Sequence, residues 1–219
     1  MNVKHMQRFC YVILLAHFLN IGFSNPLPAE AGRLTAPVHY ISMEFDLQSN
    51  SLTATSRIEL PAGLNLHLSM SHLNVSRIII NGQPAEAGPG NDALDVPSSS
   101  NEQEIVLTYS KEIPPDSTTG NMISQAGITL IGNWYPVADQ DMLFKLTAHI
   151  PIAFEAISEA DEIIAFLIND KKQVTFRFPH PLFSINFIAG PYAVSQEHFG
   201  EEKILAAYFF PEDAELAAG

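Results

Sequence analysis

From Val38 onward, apolar side chains recur mostly at every second position. That is the period of a strand with one buried face, and it differs from the 3.6-residue period of a helix. In VHYISMEFDLQ, the residues Tyr40, Met43, Phe45 and Leu47 are interleaved with polar ones, with one slip near Ser42. After a Ser-Asn-Ser turn, LTATSRIEL continues the alternation and stops at Pro61. LNLHLSM places Leu64, Leu66 and Leu68 on one face. LNVSRIIING ends on Asn81-Gly82, a pair that tolerates the left-handed backbone of a tight hairpin turn.

EIVLTYS predicts another short strand, closed by the Pro114-Pro115 break. Phe144, Leu146, Ala148 and Ile150 then alternate with polar residues up to Pro151. IIAFLIND and KKQVTFRF predict a hairpin turning at Asn169-Asp170, and INFIAGPYAV and KILAAYFF follow. About a dozen strands separated by short turns predict an all-β protein: a large antiparallel sandwich or a saddle-like two-layer sheet. The one helical hint in this part, EDAELAAG, stops almost as soon as it starts. Residues 85–104 and 111–127, rich in Gly, Pro, Ser and acids, read as surface loops.

The first segment reads differently. Lys4 and Arg8 precede an apolar run from Phe9 to Phe23, and no acid occurs before Glu30. This is the charged and apolar order of a secretory signal helix. The run is shorter than the ~20 residues that span a bilayer, and it carries His17 and Asn20. The expected signal is 1–24, with cleavage after Ser24 or as late as Ala31. The mature chain would then be exported, periplasmic or extracellular, and free of the membrane. Cleavage also removes the single cysteine, Cys10, so stability must come from the core without disulfides.

The 219 residues carry 24 acids against 11 Lys and Arg, a net charge of −13. Without a basic cluster, such a surface disfavours nucleic acid, whose binding relies on cationic side chains. The search for chemistry finds no H-E-x-x-H, no G-x-S-x-G and no phosphate loop. His67 and His72 lie at an odd offset, which places them on opposite faces of an extended strand; a turn near Ser71 would undo that separation and leave a metal role through this pair and nearby acids open. His180 sits between two prolines at a rigid corner, and His149 alternates outward into solvent. Asp139 and Asp141 flank Gln140 as a minimal calcium-type pair, far short of the six or so oxygens required. Asn74-Val75-Ser76 fits a glycosylation sequon. By its residues the chain is not expected to be an enzyme by itself.

Taken in order, these segments resemble the N-terminal β-domain of the aminopeptidase N family of zinc metallopeptidases. The resemblance runs from Pro37-Val38-His39-Tyr40 through LTATSRIEL, LNLHLSMSHLNVSRIIING and EIVLTYSKEIP. It continues with Tyr135-Pro136 and Asp139 ahead of the strand ending at Pro151, then Ala156-Ile157-Ser158 and FRFPHPLFSINFIAGPY. It covers roughly residues 35–212, with 213–219 as the start of a following segment. It implies a non-catalytic scaffold that docks onto a catalytic metallopeptidase domain and shapes its peptide cleft. Zinc is then expected only in that other domain, whose H-E-x-x-H and Gly-x-Met-Glu-Asn segments this chain lacks. Trp134, Tyr135, Pro136 and Asp139 become a structural corner.

The family's N-domain lends one side chain that holds the substrate's amino terminus. Counting back from Pro136, the matching tetrad is Ser124-Gln125-Ala126-Gly127. Gln125 agrees with the pattern, whereas the anchor position is the side-chain-free Gly127. A second reading is an exported binding module for carbohydrate or a cell-envelope protein, with Trp134, Tyr135, Tyr192 and Tyr208 as a stacking platform.

Overall fold

The computed structural model describes residues 35–88, 90, 92–199 and 203–213. The expected signal helix and most of EDAELAAG lie outside these residues; within them, Pro211–Asp213 forms a 3-10 turn. Among the described residues, seventeen strands run in the order β1 (Val38–Asp46), β2 (Ser51–Leu60), β3 (Leu66–Ser69), β4 (Asn74–Ile80), β5 (Gln83–Pro84), β6 (Ala93–Val96), β7 (Gln103–Glu112), β8 (Met122–Ser124) and β9 (Gly127–Leu130). They continue with β10 (Val137–Ala138), β11 (Met142–Pro151), β12 (Glu155–Ile157), β13 (Glu162–Ile168), β14 (Lys171–Leu182), β15 (Phe187–Gly190), β16 (Ala193–Phe199) and β17 (Lys203–Phe209). The fold is all-β, as the alternation predicts.

The principal sheet has eight strands in the order β13-β14-β11-β1-β2-β7-β4-β5. Only β1 against β11 is parallel among its pairings. Three-stranded (β10-β3-β6) and four-stranded (β12-β15-β9-β8) sheets supply the second layer, and β16 pairs with β17. One continuous core joins the layers. The large sheet contributes Ile41, Ile58, Leu107 and Leu146, and the small sheets contribute Leu68, Val96, Ile128 and Phe187. Phe187 of β15 stacks on Phe45 at 5.6 Å and meets Phe176 edge-on at 5.9 Å, so aromatic rings close the gap between layers.

The pleat sorts side chains strictly. Register aligns Phe178, Phe144, His39, Ile58 and Ile105 in one row across five strands, all buried. The next residue in each strand faces outward, giving a polar face with Tyr40, Ser42, Thr55, Arg57, Lys145 and Thr147. There the Arg57 guanidinium lies 3.9 Å above the Tyr40 ring and pairs with Glu59.

Several expectations need correcting. In β1 the inward residues are His39, Ile41 and Met43, whereas Tyr40 points out. The slip near Ser42 is therefore no slip: alternation is regular from His39, with a histidine taking an inward place. The loops at 85–104 and 111–127 contain β6 and β8. KKQVTFRF does not stop before its prolines; β14 continues through Pro179, His180 and Pro181, with His180 exposed. His149 is half-buried rather than solvated, and its Nε2 lies 3.1 Å from Gln173 Oε1. The Asn169 hairpin turn forms as expected, with a positive φ of 55°.

Candidate functional site

The corner Trp134-Tyr135-Pro136 precedes β10 and β11 and is buried throughout. Trp134 packs against Tyr135 with ring centroids 4.6 Å apart, and Tyr135 meets His39 at 5.6 Å and Phe144 at 5.9 Å. The Tyr135 hydroxyl accepts a hydrogen bond from the Ile185 amide at 3.1 Å. Burial pushes its pKa up to about 12. The corner thereby ties the approach to β11 to the segment that enters β15. Asp139 lies outside this cluster, exposed, with its amide 3.3 Å from the His67 carbonyl.

Beneath the corner, His39 is fully buried, and its Nε2 lies 2.8 Å from Ser56 Oγ. Its second partner is the Phe144 ring at 5.6 Å, which offers no charge compensation. Burial alone drives the imidazole pKa down to about 3, so the ring is neutral in the fold. Its Nδ1 and the Trp134 Nε1 have no partner among the described residues. This group cannot serve as an acid or base toward a dissolved substrate, because nothing from solvent reaches it.

Beside the corner lies a recess of about 350 Å³, lined among others by His72, Lys111, Asn121, Ile131 and Asn133. Two of its polar side chains, Lys111 and Asn121, are committed to the backbone. Lys111 Nζ donates to the Asn133 carbonyl at 2.5 Å. Asn121 donates to the Gly132 carbonyl at 2.8 Å and accepts from the Ile131 amide at 2.7 Å. Partial burial lowers the Lys111 pKa. Asn121 is almost inaccessible although it falls in a segment read from sequence as a surface loop. A polar residue pinning a turn leaves no hydrophobic signal that could have identified it.

Gln125 stands exposed at the turn between β8 and β9. Gly127, the position of the family's anchor, has a φ of 156°, and a Cβ there would lie 3.2 Å from the Ala189 carbonyl oxygen. A side chain at this place would therefore be strained by the backbone and crowded against that carbonyl. His67 pairs with Asp95 at 2.7 Å on the surface, a hydrogen bond that raises its pKa. Among the described residues, no group of three His, Cys, Asp or Glu side chains could hold a metal ion. The stacking platform loses two of its four rings, since Trp134 and Tyr135 are buried, and Tyr192 packs against Phe210 at 5.2 Å.

No family sequence model and no curated protein sequence matches the chain. Solved structures do match in three dimensions. An M1 zinc metallopeptidase from Deinococcus radiodurans superposes with a TM-score of 0.59 at 13% identity, over 74% of this chain and 44% of that one. The shared object is a fold. Legionella pneumophila aminopeptidase A, solved with aspartic acid, gives a TM-score of 0.65 at 13% identity, over 82% of this chain and 24% of that one. The chain therefore spans less than half the length of the metallopeptidases whose fold it shares.

Proposed function

We propose that the chain is a non-catalytic N-terminal scaffold domain of an exported, aminopeptidase-like protein. In this reading it docks onto a catalytic metallopeptidase domain and forms one wall of that domain's peptide cleft. The observation that carries it is the fold held in common with a part, and only a part, of M1 zinc metallopeptidases. The residue chemistry agrees: the corner, the histidine beneath it and the recess beside it are occupied with holding strands together. Zinc belongs to the partner domain, and substrate contacts from this chain are confined to the turn carrying Gln125. Without a side chain at Gly127, the substrate's amino terminus is held by another group.

The test is hydrolysis of aminoacyl-anilides by the purified, metal-stripped chain, with zinc added back. The expected result is no turnover above the buffer rate. Zinc-dependent turnover that follows the chain through purification would overturn the proposal.

A further inference from the structure

Holding strands together uses only part of the hydrogen-bonding capacity of the recess beside the corner. The recess opens where separate stretches of chain meet: the turn before β4 at His72, the end of β7 at Lys111 and Glu112, the connection from β7 to β8, and the connection from β9 to β10 at Asn133. Two of these carry left-handed backbone on residues other than glycine, His72 with a φ of 70° and Asn133 with 54°. Such residues are uncommon and concentrate where a chain is shaped around a ligand.

The acceptors in its wall are taken. The carbonyls of Ile113, Pro114, Gly132 and Asn133 accept from the Ile123 amide, the Ser117 amide, the Asn121 side chain and Lys111 in turn. Asn121 Oδ1 accepts from the Ile131 amide. The donors are not all taken. An ammonium has three N–H groups, and Asn133 takes one from Lys111; the buried Asn121 amide uses one of its two. The Ser117 and Thr119 hydroxyls lie 2.6 Å apart, so one donates to the other and one proton is left over. Charge follows the same pattern. Arg57, Lys171, Lys172 and Arg177 each pair with a glutamate. Among the described residues no carboxylate offsets the partial burial of Lys111, and that burial lowers its pKa. A half-buried cation with unused donors around it and no acid beside it is completed by an anionic acceptor.

We propose that this recess binds a small aliphatic monocarboxylate, with its carboxylate on Lys111, Asn121 and the Ser117–Thr119 hydroxyls and its alkyl part on Ile113, Pro114 and Ile131. A volume of about 350 Å³ lies at the small end of ligand pockets, which suits a molecule of a few carbons. Ile131 stands exposed beside it, a large apolar side chain that the alkyl part covers. Glu112 is exposed at the rim, and its charge disfavours phosphate and dicarboxylates relative to a single negative charge. A free acid and the C-terminus of a peptide present the same group, and the probes below separate them. The ligand is additional to the scaffold role, and the inference survives or fails without that reading.

Amide NMR of the isotope-labelled chain, titrated with sodium butyrate at constant ionic strength, tests it. The expected result is saturable shifts confined to Asn121, Ile131, Gly132, Asn133 and their neighbours, with half-saturation at about 1–20 mM. Butyramide, matched in shape but neutral, should bind at least about tenfold more weakly, and Lys111→Met should weaken butyrate to the same degree. Glu112→Gln changes only the exposed rim and should tighten butyrate about two- to fivefold. If Lys111→Met does not fold, as read from Trp134 emission, butyramide and Glu112→Gln decide. Acetyl-dialanine binding more tightly than butyrate assigns the site to peptide C-termini, and the reverse order assigns it to free acids; either order supports a carboxylate site. Shifts that stay linear in butyrate, that butyramide reproduces, or that persist in folded Lys111→Met would each overturn the inference, as would weaker binding in Glu112→Gln.

Discussion

Lowering the pH should destabilise this protein well before its carboxylates titrate, and His39 is the reason. The neutral imidazole is sealed between Ser56, Tyr135 and Phe144, with its pKa depressed from 6.5 to about 3 by burial. The unfolded chain binds a proton at this residue below pH 6.5 and the folded chain does not. Stability must then rise with pH between about 3 and 6.5 and level off above. With those two values the linkage relation gives a loss of about 2 kcal/mol at pH 5 and about 4 kcal/mol by pH 3, relative to pH 8.

Other groups act elsewhere or the other way. Glu44 and Asp46 have lowered pKa values, through Lys171 and the Gln48 amide respectively, so their contributions are present above pH 4.5 and lost only below it. His67 has a raised value from Asp95; its exposed contribution is present below pH 6.5 and fades as pH rises. The window from pH 5 to 6.5 therefore isolates His39. Urea unfolding of the chain and of His39→Gln at half-unit steps from pH 5 to 8 reads the slope directly. The wild type should lose stability steadily below pH 6.5, and the variant, whatever its offset, should show a nearly flat profile. A flat wild-type profile, or an equal slope in the variant, would refute the argument.

Four further outcomes follow from the corner and from the turn between β8 and β9. Tyr135→Phe leaves the buried Ile185 amide without its acceptor and should cost about 1–3 kcal/mol in denaturant unfolding. Trp134 is the only tryptophan and is fully buried, so native emission should be blue-shifted and move to the red on unfolding; Trp134→Ala should cost about 3–5 kcal/mol. Gly127→Ala should lower stability by about 1–3 kcal/mol through its backbone conformation and the nearby Ala189 carbonyl, readable as a drop in Tm.

The parts of the fold legible in the sequence were those with local causes. β2 and β11 alternate cleanly over ten residues each, and the Asn81-Gly82 and Asn169-Asp170 turns carry their own backbone preference. The parallel pairing of β1 with β11 joins residues about a hundred apart, and no local pattern announces it. β6 and β8 are three or four residues long, too short to show a period among Gly, Ser and Asp neighbours. His39 is polar, so hydropathy alone does not mark it as inward; its place in the His39-Ile41-Met43 alternation does. For the site, the aromatic corner was visible as residues. Its bonds to Ile185 and its packing on His39 depend on tertiary contacts that spacing cannot supply.

In the proposed reading this β scaffold works against a separate catalytic domain, and the nucleotide sequence immediately downstream in the source genome would reveal that domain. The expected finding is an in-frame or adjacent reading frame that encodes a metallopeptidase domain with an H-E-x-x-H helix. A downstream region without any such domain, next to a chain purified from its own cells with no metallopeptidase bound, would contradict it.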